Sequence, residues 1–91
     1  MTVEITLLIQ DDCGFCDQAK NVLDRMSAEY PLQVTEVSLA SEEGQALART
    51  AGVLFAPGVL VDGEPFSYGR LSERKLRRTL AGHTEERHRR A

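Results

Sequence analysis

Apolar and polar positions alternate along Val3-Glu4-Ile5-Thr6-Leu7 and then run apolar through Leu8 and Ile9. That is the pattern of a strand buried on both faces near the centre of a sheet. Gln10-Asp11-Asp12 ends it, and the two aspartates read as a strand-ending turn and a helix cap. Beyond them Phe15, Ala19, Val22 and Met26 recur at steps of four, three and four, with Leu23 beside them. This spacing predicts a helix with one face on a core, and Asp17, Lys20, Asp24 and Arg25 fall largely off the stripe. Pro31 closes the segment, because the residue before a proline is pushed out of the helical region.

Gln33 to Leu39, with Val34, Val37 and Leu39 as its apolar positions, predicts a second strand. The helix before it supplies the crossover that parallel pairing with the first strand requires. Ser41 caps a short second helix, with Glu42 and Glu43 at its positive end, Ala46, Leu47 and Ala51 facing inward, and Gly52 as its stop. Two β-prone runs flank Asp62-Gly63, a strong hairpin signal, and Pro57 belongs at the entry to the third strand, where no ladder donor is needed. Ser72 caps a last helix to about Leu80, with Leu71 and Leu76 as a staple around the cap and Gly82 as the stop. The order is strand, helix, strand, helix, strand, strand, helix, an α/β domain over residues 1–82. Residues 83–91 lack apolar periodicity and are expected to form a disordered basic tail.

Composition adds limits. Ninety-one residues make one domain with a small core. No apolar run approaches the roughly 18 residues of a membrane span, and the start lacks a basic, cleavable leader, so a cytoplasmic protein with no membrane partner is expected. The net charge of −3 is unevenly spread: residues 1–69 carry three basic and eleven acidic side chains, whereas residues 70–91 carry eight basic and three acidic. A solvated helix and tail account for this, and with no aromatic residue after Tyr68 there is no stacking platform for nucleic acid. A monomer is expected.

Both cysteines lie in Cys13-Gly14-Phe15-Cys16, at the junction of the first strand and first helix. Two thiols at this spacing on a helix's first turn can close into a disulfide and reopen without rearranging the fold. Cys13, at the helix start, gains from unsatisfied backbone N–H groups and the helix dipole, which favour a thiolate; Cys16, nearly one turn on, is shielded and placed to attack a mixed disulfide formed at Cys13. Asp11 and Asp12 oppose that thiolate, so Cys13 is expected to be only modestly activated and the dithiol to act as a reductant.

The chain resembles the thioredoxin/glutaredoxin superfamily from its first strand to its last helix. Three features carry the resemblance: Cys13-Gly14-Phe15-Cys16 after a buried strand, Ala56-Pro57 before the third strand, and Val61-Asp62-Gly63-Glu64 at the hairpin. The resemblance implies a thioredoxin-like βαβαββα fold, with a four-stranded mixed sheet in the order 2-1-3-4 flanked by three helices, and a cis Ala56–Pro57 bond. It implies a thiol–disulfide oxidoreductase in which Cys13 attacks and Cys16 resolves. Gly14, Phe15, Ala56 and Pro57 would contact substrate, Ala56 through its backbone. Protein disulfides would be its substrates, and a reductase or a low-molecular-weight thiol would recharge it, with no cofactor besides the Cys13–Cys16 disulfide and no metal.

The chain departs from both branches of the superfamily. Thioredoxins usually place a tryptophan directly before the first cysteine and a buried acid six residues before it, where this chain has Asp12 and Leu7. Glutaredoxins usually have a basic residue before the motif, a Thr-Val-Pro segment and a Gly-Gly-Asp-like turn; here stand Gln10-Asp11-Asp12, Phe55-Ala56-Pro57 and Gly69-Arg70-Leu71. The alternatives are a glutathione-dependent glutaredoxin-type reductase, a redox-silent module, and a metal or cluster site joining the cysteines to His83 and His88 or bridging two chains. Lys20 and Arg49 read as solvated surface, or as contacts for an acidic partner. Phe15 is either an exposed contact or a plug over the motif, Phe55 either rim or packing under the loop, and Tyr68 has the same ambiguity as Phe15, with core edge preferred.

Overall fold

A computed structural model describes residues 2–90, with side chains to residue 82. Its elements are β1 (Val3–Ile9), α1 (Gly14–Ser27), β2 (Leu32–Ser38), α2 (Glu42–Ala51), β3 (Gly58–Val61), β4 (Glu64–Tyr68) and α3 (Glu73–Arg90). The sheet runs β2-β1-β3-β4, with β1 and β2 parallel and the pairs β1/β3 and β3/β4 antiparallel. This is the expected βαβαββα thioredoxin-like fold.

Period two explains β1. Val3, Ile5 and Leu7 join Val59 and Val61 on the face covered by α1 and α3, where they meet Ala19, Val22, Leu23 and Met26 of α1 and Leu76 and Leu80 of α3. Leu8 points to the opposite face and is fully buried, whereas Glu4 on that face is exposed. The hairpin forms at Asp62-Gly63, both with positive φ, and the Asp62 carboxylate accepts the Glu4 N–H at 2.9 Å. Pro65 lies on the edge strand β4 opposite Leu60, next to the register shift between Val59 and Leu60.

Three helix ends differ from expectation. The cap of α1 is Cys13 and not either aspartate, since its Sγ accepts the Cys16 N–H; α1 then ends at Ser27, short of Pro31, in a turn closed by Tyr30 N–H donating to the Met26 carbonyl. α2 has the expected Ser41 cap and Gly52 stop, but Gly44 is its buried residue, while Ala46 is exposed and Leu47 and Ala51 are half-buried. α3 has its expected Ser72 cap and the buried Leu71/Leu76 staple, yet it passes Gly82. A C-terminal glycine stops a helix by taking positive φ, and among the described glycines only 52, 63 and 69 do so. The expected tail at 83–91, with His83 and His88, falls outside the described side chains.

Ion pairs fasten α1 to α3. Arg25 binds Glu73 at 2.7 Å, and Arg77 binds both Glu29 and, at 3.3 Å, Glu73. The Arg25 hydrogen bond, joined by the guanidinium charges of Arg25 and Arg77, outweighs an opposing desolvation effect and holds the Glu73 carboxyl below its ordinary value of 4.5. The folded chain therefore binds this proton less tightly than the unfolded chain. The resulting stability is present above the unfolded value and is lost as pH falls through the lower folded one. Urea midpoints measured from pH 6 to pH 3 are expected to fall less steeply in Glu73→Gln than in the parent; parallel curves would remove Glu73 from the acid response.

Candidate active site

The site lies at one end of the sheet because two chain segments leave it there. β1 delivers the cysteine motif just past Ile9, and the β1/β3 register, Leu8 opposite Gly58, brings Ala56-Pro57 to the same end. The Ala56–Pro57 bond is cis, as the resemblance implies. Cys13 and Cys16 form a disulfide with Cα atoms 5.2 Å apart. Cys13 has extended backbone and caps α1, and its sulfur sits 3.1 Å from the Cys16 N. The two sulfurs are unequal: Cys13 is half-buried, whereas Cys16 is 3% exposed.

An open cleft of about 600 Å³ lies beside the disulfide, lined by Gln10, Asp11, Asp12, Asp17 and Lys20 together with the cysteines. Asp12 has φ +54, a left-handed conformation that aspartate tolerates better than bulkier residues and that turns the chain from β1 into α1. The helix terminus favours a sulfur anion by about 0.3–1 kcal/mol, and two like charges about 8 Å apart across water repel by about 0.5 kcal/mol. Both aspartates are exposed, so the opposing effects are of similar size. Lys20 pairs with Glu36 of β2 at 3.6 Å, with both side chains partly exposed. Arg49 is exposed near the far end of α2.

Exposed apolar side chains supply the rest of the surface. Phe15 is 51% exposed, which makes it a contact and not a plug. Phe55 is 54% exposed and meets Tyr68 edge to face with ring centroids 5.0 Å apart, so Tyr68, at 41% exposure, belongs to the rim and not the core edge. Ala56 and Pro57 are buried behind them.

Two residues hold these parts together: Gln18, which sequence reasoning did not single out, and Gly69. The Gln18 amide donates to the Leu71 carbonyl at 2.9 Å and accepts the Leu71 N–H at 3.0 Å. Gly69 donates its N–H to the Pro57 carbonyl at 2.8 Å, and its φ of +81 is one that side chains rarely adopt; a Phe55 ring carbon 3.0 Å from where a Cβ would stand would also have to give by a few tenths of an ångström. Gln18 lies off the apolar stripe of α1, and its partner is 53 residues away, so no local pattern marks it.

No helix among the described residues is long and apolar enough to cross a membrane. The chain matches no curated protein sequence. Among solved structures it is similar to an N21Q mutant thioredoxin from Halobacterium salinarum NRC-1, with 25% identity, a TM-score of 0.67, and coverage of 88% of this chain and 73% of that one. It is also similar to a malarial protein at 19% identity and a TM-score of 0.68, covering 91% of this chain and 98% of that one, a likeness of fold alone. The model of the Glutaredoxin family matches residues 3–66, a span that runs from β1 through the cysteine motif and the cis-proline to the middle of β4. With its thioredoxin-like fold and its Cys13–Cys16 disulfide, the chain belongs to the glutaredoxin family.

Proposed function

We propose that the protein is a dithiol thiol–disulfide oxidoreductase that reduces disulfides of protein partners in the cytoplasm, acting as a monomer. The observation that carries this reading is the inequality of the two joined sulfurs, Cys13 accessible at the start of α1 and Cys16 nearly covered. In the reduced protein the Cys13 thiolate attacks a partner disulfide, forming a Cys13–partner bond and releasing one partner thiolate, which takes up a proton. Cys16, losing its proton, attacks the Cys13 sulfur, closes the internal disulfide and releases the second partner thiol. Two electrons pass to the partner, and an external dithiol or reductase restores them. The exposed Phe15 and Phe55, with Gly14 and the Ala56-Pro57 loop, form a surface suited to an extended polypeptide around the disulfide.

Family membership favours a second reading, glutathione as the recharging thiol. Against it stand Phe55-Ala56-Pro57 in place of Thr-Val-Pro and a cleft whose three aspartates repel glutathione's carboxylates, with one lysine to offset them. Insulin reduction driven by NADPH and thioredoxin reductase is expected to turn over faster than the same assay driven by glutathione and glutathione reductase. Faster turnover with glutathione would select the second reading, and no turnover in either arm would reject both.

A further inference from the structure

We infer that Gln18 is a positioning residue that sets the spacing between the redox helix and the cis-proline loop, the two segments a substrate would meet in the oxidoreductase reading above, on which the inference rests. Residues 69–72 lie between β4 and α3 and belong to neither, so the backbone of Leu71 has no ladder to join. A backbone that is partly buried needs partners, and here a side chain supplies both of them: Gln18 offers its carbonyl to the Leu71 N–H and its NH₂ to the Leu71 carbonyl. Only a primary amide of this length fits. Glutamate would set an acceptor against the Leu71 carbonyl, methionine makes neither bond, and asparagine is one methylene short.

Place in the chain makes this more than a loop fastening. Gln18 is four residues after Gly14 and three after Phe15, so it lies one helical turn behind the middle of the redox motif on a shared face. Leu71 is anchored in the core at 1% exposure, and two residues earlier Gly69 holds the Pro57 carbonyl at 2.8 Å. The path from the disulfide-bearing turn to the cis-proline is therefore spanned by α1, two hydrogen bonds to Leu71 and one from Gly69. Phe55 packs over Gly69, so the aromatic rim is located by the same tie. A substrate segment lying between Cys13 and Pro57 meets two walls whose spacing Gln18 fixes.

The test compares Gln18→Met with the parent on insulin and on a small aromatic disulfide such as DTNB, which does not need both walls. Misplacing one wall is expected to raise the KM for insulin about tenfold with kcat little changed, while the DTNB rate stays within about twofold. Amide exchange at Leu71 and Gly69 should speed up in the same variant. Gln18→Glu, which keeps the acceptor for the Leu71 N–H, should fall between the two and serves if the methionine variant is poorly folded. Arg77→Ala, which loosens α3 from α1 away from the site, controls for lost stability and should leave the insulin KM unchanged. An equal loss on both substrates, an unchanged KM, or the same KM rise in Arg77→Ala would overturn the inference. A parent protein inactive on both substrates would instead refute the oxidoreductase reading, and the inference with it.

Discussion

Cys13→Ser is expected to lower disulfide reduction by roughly a thousandfold or more, as loss of a nucleophile does, because a serine hydroxyl at neutral pH cannot replace a thiolate. Cys16→Ser should fail differently. Its accessible Cys13 still attacks, but nothing resolves the product, so the partner remains covalently attached. Intact-mass measurement after mixing reduced Cys16→Ser with a protein disulfide should show the sum of the two masses, dispersed by added thiol. The prediction follows from exposure: Cys16 at 3% has no approach for a folded partner, whereas Cys13 is only half-buried at the start of α1. Trapping by Cys13→Ser, and none by Cys16→Ser, would reverse the assigned roles.

What could be read from the sequence was what local pattern controls. The alternation in β1, the stripe on α1 from Ala19 to Met26 though not its first member Phe15, the serine caps at Ser41 and Ser72 and the Asp62-Gly63 hairpin each depend on residues within a turn or two of one another, and each is present. The redox motif was legible for the same reason, as two cysteines on one helical turn. The cis-proline came from likeness and not from pattern. What escaped depends on approach through space. Gln18 finds Leu71, Arg25 finds Glu73 and Phe55 finds Tyr68 only once the sheet has brought them together. Cys13 displaced the aspartates as cap because α1 starts later than a preference for aspartate caps suggests, leaving Asp12 to make the turn with positive φ. α2 misled for a different reason. Its contact with the sheet is made by backbone at Gly44, so the inward apolar face that periodicity looks for is only partly there.

That contact gives the second large effect, one whose sign separates helix propensity from packing. Alanine in place of glycine inside a helix ordinarily stabilises by about 1 kcal/mol. At Gly82, with nothing within 4 Å of an added Cβ, that gain is expected. At Gly44 an added Cβ would stand 1.9 Å from the Ser38 carbonyl oxygen and 3.1 Å from the Leu39 Cα, backbone atoms that no rotamer change can move aside. The Ser38 carbonyl is itself held, accepting the Ser41 hydroxyl at 2.6 Å, and Leu39 N–H is tied to the Ile9 carbonyl at 2.7 Å. Relief therefore means moving the start of α2 off the end of β2, stretching the bond from the Gly44 N–H to the Ser41 hydroxyl that caps it. Overpacking costs about 1–3 kcal/mol and a lost cap about 1 kcal/mol, which together outweigh the propensity gain. Gly44→Ala should lower the urea midpoint at unchanged slope while Gly82→Ala raises it. The tie from Leu39 to Ile9 also lies at the sheet end from which the redox motif departs, so the Gly44 variant should lose oxidoreductase activity at temperatures where it is still mostly folded. If both alanine variants are more stable than the parent, the close approach of α2 to β2 is wrong, and with it the account of how that end of the sheet is held.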